Sequence, residues 1–263
     1  GYLNRIACSI RPYENEKGAT DRAIDEAVSI LYDKFLNDGS KEKALDHIIG
    51  RFEKIAVTRT KRPKVAIFGD LYVRDNEVMN QELIRTIEKN GGEVVTTPYS
   101  EFMQIVSAPY LKKWLRQGQI GEVALLTVLQ KIARMIEKKY YRYFSRILKD
   151  NDDYRKYYAD PDDIFPLFGL KTVHTGESME NILKIFYLVK KYPDLSLFVQ
   201  TNPSYCCPSL VTEAMADRIE ELTGVPIVTI EYDGTGGSKN DDVVPYLRFP
   251  RKRDGAVKKC MTG

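Results

Sequence analysis

The chain has 263 residues, 43% of them apolar and 29% charged, with a formal net charge of +3. That composition fits one large globular domain or two small ones, and so small a positive excess gives no argument for nucleic acid. No run of about 18 apolar residues occurs, so no membrane span is expected, and Gly1-Tyr2-Leu3-Asn4-Arg5 has no signal-peptide pattern and no initiator Met.

Four cysteines, Cys8, Cys206, Cys207 and Cys260, make no disulfide framework, which points to a reducing cytoplasm. Residues 1–60 read as a helical segment after a short irregular start. Ala23, Ile24, Ala27, Val28, Leu31 and Phe35 form one helical face. Ser40 is the expected N-cap of a second helix carrying Ala44, Leu45, Ile48, Ile49 and Phe52. Thr58 to Pro63 reads as a linker.

The pattern then changes to an α/β domain over 61–250. Lys64 to Asp70 is a short β-rich run. A helix with Val78, Met79, Leu83, Ile84 and Ile87 on one face follows and stops at Asn90-Gly91-Gly92. Glu93 to Pro98 is the second strand, which completes a β–α–β unit. Residues 99–150 read as a helical insertion, with Leu125, Leu129, Ile132, Ile136, Tyr140, Tyr143 and Ile147 on one face, long enough to cover the cleft or reach a partner. Residues 150–165 are an acidic, tyrosine-rich loop. Met179 to Tyr192 is a helix apolar on most sides, hence buried. Leu195 to Val199 is the third strand, Pro208 to Leu222 a helix, and Val225 to Ile230 the fourth strand. A basic tail, 251–263, ends the chain. The expected architecture is a Rossmann- or flavodoxin-like four-stranded parallel sheet with helices on both faces.

Chemistry-bearing residues collect where strands end. The first strand ends at Gly69-Asp70, with Tyr72 and Arg74 beyond. The third ends at Asn202, followed by Tyr205, Cys206 and Cys207, and the fourth at Asp233-Gly234-Thr235. In a doubly wound sheet these ends share one edge, where ligands bind. Cys206 and Cys207 sit at a helix start, where free N–H groups and the dipole favour the thiolate that binds metal or attacks an electrophile. Asp70 with Arg74 offers a charge pair or a proton donor and acceptor, and Asp233 is a third candidate. Tyr72, Asn80, Asn202, Tyr205, Gly234 and Thr235 are candidates to line the cleft. The bland alternatives are small buried cysteines and aspartates that merely cap helices or loops. Lys138 to Arg146 mixes bases with aromatics, and an amphipathic helix with a solvated basic face explains it better than RNA binding. His47 and His174 are isolated. There is no P-loop, and Gly234-Thr235-Gly236-Gly237 is a weak nucleotide fingerprint.

Two segments carry a family resemblance. Phe68-Gly69-Asp70-Leu71-Tyr72-Val73-Arg74, with Asn80 six residues on, resembles the G-E-x-Y-x-R…N motif of the 2-hydroxyacyl-CoA dehydratase D-component family. Asn202 to Glu213 resembles that family's cysteine motif, in the C-C-P-x-L-V-T-E form found where a dehydratase-like region is fused to an ATPase activator. Val225-Pro226-Ile227, Glu231 to Thr235 and Asn240 fit the same branch. The resemblance spans about residues 60–250. It implies flavodoxin-like domains, an iron–sulfur cluster of [4Fe-4S] or double-cubane type, and low-potential electrons from an ATP-hydrolysing partner or activator domain. It also implies a 2-hydroxyacyl-CoA substrate that loses water through a ketyl radical. Carried over, Cys206 and then Cys207 are the metal ligands.

The family draws its cluster cysteines from several segments. Here Cys8 matches no ligand motif and Cys260 lies in the tail. A cluster needs about four ligands, so the remaining ones are expected from another part of a longer polypeptide or from a second chain, with a homodimer among the options. The alternative is a scaffold or ligand-binding module that keeps the fold without a cluster. A thiol redox sensor ranks below both, because a disulfide between adjacent residues is strained, with Cα atoms only about 3.8 Å apart.

Overall fold

The structure is a computed structural model that describes residues 1–149 and 154–250. The start of the acidic loop and the basic tail with Cys260 lie outside the described residues. Four parallel strands, β1 (Lys64–Gly69), β2 (Glu93–Val95), β3 (Leu195–Pro203) and β4 (Ile227–Tyr232), form one sheet in the order β2-β1-β3-β4. The chain turns outward from β1 to β2, then crosses back to build β3 and β4 on the other side. The topological switch point therefore lies between β1 and β3.

Period-two alternation sends neighbouring residues of the central strands to opposite layers. Ala66, Phe68 and Phe198 pack on one face, under helices α6 (Tyr99–Arg116) and α9 (Glu177–Lys191). Val65, Ile67, Leu197 and Val199 pack on the other, against Val73, Leu83, Ile84 and Ile87. With both faces covered, β1 reads as a continuous apolar run, as a buried parallel strand should.

The amino-terminal helices α1 (Tyr2–Ile10), α2 (Ala19–Leu36) and α3 (Lys41–Glu53) share a third cluster with the long helix α7 (Ile120–Leu148). Ser40 caps α3 as expected, accepting from the Lys43 N–H at 3.3 Å. The start of the chain is helical rather than irregular.

Two expected helices are each split. The first becomes α4 (Leu71–Asp75) and α5 (Leu83–Lys89). Between them the Asn76 side chain accepts from the Val78 and Met79 N–H groups, and Gln81 and Glu82 adopt positive φ. These local bonds compete with helix and win, leaving Val78 in solvent. The second becomes α10 (Cys207–Ala214) and α11 (Ala216–Thr223), where the Met215 N–H takes a tight bond to the Thr212 carbonyl. Short elements complete the described chain, including α8 (Pro161–Ile164) in the loop after α7 and α12 (Val244–Arg248) after β4.

Candidate functional site

The switch-point crevice is built on a close approach of two strands. Gly69 has φ +109°, and a Cβ placed there would lie 2.3 Å from the Thr201 carbonyl oxygen. Only glycine fits. The Asp70 N–H donates to that same oxygen at 2.9 Å, and Thr201 Oγ1 donates to the Phe68 carbonyl at 3.2 Å. The end of β1 is thereby locked to the end of β3.

Asp70 then caps α4, its Oδ1 accepting from the N–H groups of Tyr72 and Val73 at 2.9 and 2.8 Å. The expected Asp70–Arg74 pair is not formed. Arg74 is buried and donates instead to Asp75, at 3.2 and 2.7 Å, and to the Thr97 carbonyl just beyond β2. Tyr72 is exposed. Asn80 is no cleft residue: it is buried, donates to the carbonyls of Val73 and Arg74, and so ties off α4. Asn240 donates to the carbonyls of Asn80 and Gln81 and accepts from the Tyr232 hydroxyl at 2.7 Å. Two separate motif segments are joined by this buried staple.

On the β3 side, Tyr205 holds φ +62° and stands almost wholly in solvent. That turn delivers Cys206 as the N-cap of α10 and Cys207 as its first residue. Cys206 is half-buried and Cys207 exposed. Both thiols therefore sit at a helix start just beyond the end of β3, as the strand–helix spacing predicts. Cys8 is buried under the sheet in α1, and burial pushes its thiol up to about 12. It is held apart from the pair as an inert core residue. At the end of β4, Asp233 accepts from Thr235 N–H and Oγ1 and from Lys239, contacts that hold its carboxyl below the usual range. Gly234 and Thr235 are exposed in this self-locked loop.

Behind the rim lies a polar floor that the motifs do not signal. Gln200 and Asn202 are fully buried on the α9 side of β3. Gln200 Nε2 donates to Asn202 Oδ1 at 3.3 Å and to the Ser209 carbonyl of α10 at 3.0 Å. Glu177, Asn181 and Lys184 of α9 share one helical face by their spacing. Burial, with Asp70 nearby, raises the Glu177 carboxyl. Burial, with Arg74 nearby, depresses the Lys184 ammonium well below its ordinary value. Glu180 is pushed up to about 7 by burial and by Glu177. Ser178 Oγ donates to the Pro208 carbonyl at 3.2 Å and joins the start of α9 to that of α10. The signal for this floor was a polar residue every three or four positions within an otherwise apolar helix.

As a metal centre, the described rim supplies two thiols. Among the described residues no group of three or more His, Cys, Asp or Glu side chains is placed to hold a metal ion. Cys206 and Cys207 are two thiols of the kind that ligate iron, and among the described residues no third ligand joins them. The cavities elsewhere include one of about 350 Å³ between α6 and α7, lined by Gln104, Lys112, Gln130 and Arg134, on a different part of the molecule from the cysteines. No helix among the described residues is long and apolar enough to cross a membrane. No family model, curated protein or solved structure matches the chain.

Proposed function

We propose that this chain supplies two thiolate ligands, Cys206 and Cys207, to an iron–sulfur cluster completed by residues of another segment or chain. The observation that carries this reading is the placement of two accessible, adjacent thiols on one helix start at the switch point of a parallel sheet. Ligands bind at such points, and a helix N-terminus stabilises thiolate. The sequence resemblance supplies the wider setting: a protein related to the 2-hydroxyacyl-CoA dehydratases, working in a cytoplasmic, ATP-driven electron-transfer system with an activator domain. A cluster there supplies low-potential electrons. This chain's own part is to hold two ligands on a rigid rim, with the Gly69–Thr201 lock and the Gln200–Asn202 floor fixing the strand ends behind them.

The test is iron and acid-labile sulfide per chain after anaerobic reconstitution, with a Cys206→Ala, Cys207→Ala variant in parallel. Reconstitution is repeated with the remainder of the polypeptide, or an activator protein, added in trans. Bound iron and sulfide that vanish in the variant support the reading. A colourless protein under every condition, or iron that survives loss of both thiols, rejects it and favours a scaffold that has kept the fold alone.

A further inference from the structure

The outer face of α7 is apolar. Leu125, Val128, Leu129, Ile132, Met135 and Ile136 are each 45–68% exposed. They recur at helical spacing on the side of α7 away from its packing against α6 and the amino-terminal helices. A solvent-facing helix normally carries charge there. The exposed stripe amounts to something on the order of 600 Å² of surface, the upper limit for an ordinary monomer and close to the ~800 Å² that each partner contributes to a standard specific interface.

The stripe and the charges at its ends suit a second copy of the same chain. Leu125, Leu129, Ile132 and Ile136 are spaced four, three and four, a pattern that reads the same in both directions. An antiparallel second copy, related by a two-fold axis between Gln130 and Lys131, sets Leu129 against Ile132 and Leu125 against Ile136. All four residues of the repeated pattern thus meet an apolar residue. At both ends of the same register Glu122 meets Lys139. Lys139 is exposed and ion-paired to Glu42 at the surface, so the second carboxylate joins an existing pair. This is the self-complementarity that an isologous interface demands.

We infer that α7 is a homodimerisation helix, pairing antiparallel with α7 of a second copy about the Gln130–Lys131 axis. The inference is independent of the cysteine reading. It is tested by light scattering coupled to size-exclusion chromatography of the 263-residue chain over a wide concentration series. The expected result is a mass twice that of one chain. A Leu129→Glu, Ile132→Glu double variant is expected to run as a monomer with unchanged far-UV circular dichroism, since both side chains point away from the core. In a Glu42→Gln background, which removes the intrachain partner of Lys139, Glu122→Lys is expected to weaken the dimer about fivefold, and adding Lys139→Glu to restore most of that loss, which a merely misfolded variant would not do. Three outcomes overturn the inference: a monomer at every concentration, a dimer indifferent to the Leu129 and Ile132 changes, or no rescue in the charge-swapped pair. So does a monomer that binds vesicles of anionic lipid through this face.

Discussion

Replacing Gly69 by Ala tests the central claim about the crevice, that it is built on backbone contact between the ends of β1 and β3. Three costs arise together. A residue with a Cβ held at φ +109° is strained by about 1–3 kcal/mol. The new Cβ would lie 2.3 Å from the Thr201 carbonyl oxygen and 2.9 Å from its nitrogen, both backbone atoms that no side-chain rotation can move aside. Relieving that overlap costs a further ~1–3 kcal/mol. Moving the strands apart also stretches the Asp70 N–H bond to Thr201 and the Thr201 Oγ1 bond to Phe68, each worth about 1 kcal/mol. The sum is about 4–8 kcal/mol. With a urea m-value of about 3 kcal/mol/M, the unfolding midpoint followed by circular dichroism should fall by more than about 1 M. Gly91→Ala is the control. Its φ is +92°, but nothing lies within 4 Å of the added methyl, so only the strain remains. If Gly69→Ala proves no more damaging than Gly91→Ala, the strand ends are not in contact and the crevice is wrongly drawn.

Glu180 gives a pH-dependent prediction. Its folded carboxyl is raised to about 7 from an ordinary 4.5, so between those values the folded state holds a proton that the unfolded chain has released. Stability therefore falls as pH rises through that window, by up to about 1.4 kcal/mol per pH unit and ~3 kcal/mol in all. Glu180→Gln should flatten the fall, with urea midpoints at pH 5 and pH 8 as the measurement; parallel profiles for the two proteins would show that Glu180 is solvated. The thiols give another. In a Cys260→Ser background two thiols should react rapidly with a disulfide reagent in the native protein, and the third, Cys8, only after denaturant is added; three fast thiols would place Cys8 at the surface.

How much of this was legible in the sequence depends on which force set each feature. The strands and the order of elements were readable because apolar runs broken by Gly, Asn and Pro report burial directly. The position of the cysteines was readable for the same reason: a strand ends and Pro208 opens a helix. Helix continuity was not. Apolar spacing carried the eye across 78–87 and 208–222, whereas the breaks come from local side-chain and backbone bonds at Asn76 and Met215. Partnership between polar residues was also hidden. Asp70 and Arg74 are four apart and look like an ion pair, but the capping bonds of Asp70 and the reach of Arg74 to Thr97 separate them.

The buried floor shows why composition along a helix and chemistry across a fold are different questions. In sequence, Glu177, Asn181 and Lys184 interrupt the apolar helix α9 as if they were its solvent face. The fold turns them inward, because α9 must cover β1 and β3 and its remaining sides are already taken by apolar neighbours. Polar groups kept in such a place carry a desolvation cost of several kcal/mol per charge, visible in the depressed Lys184 and the raised Glu177 and Glu180. That cost falls behind Asp70 at the end of β1, whereas a second buried polar group, Glu101 ion-paired with Arg5 and Lys191 beside Tyr187 and Tyr192, lies at the other end of α9, next to the start of β3. A fold selected for stability alone would have filled the site with apolar side chains. Of the two buried polar groups, the one behind Asp70 stands where the topology places ligands, which is the physical reason to look for this chain's chemistry at that end.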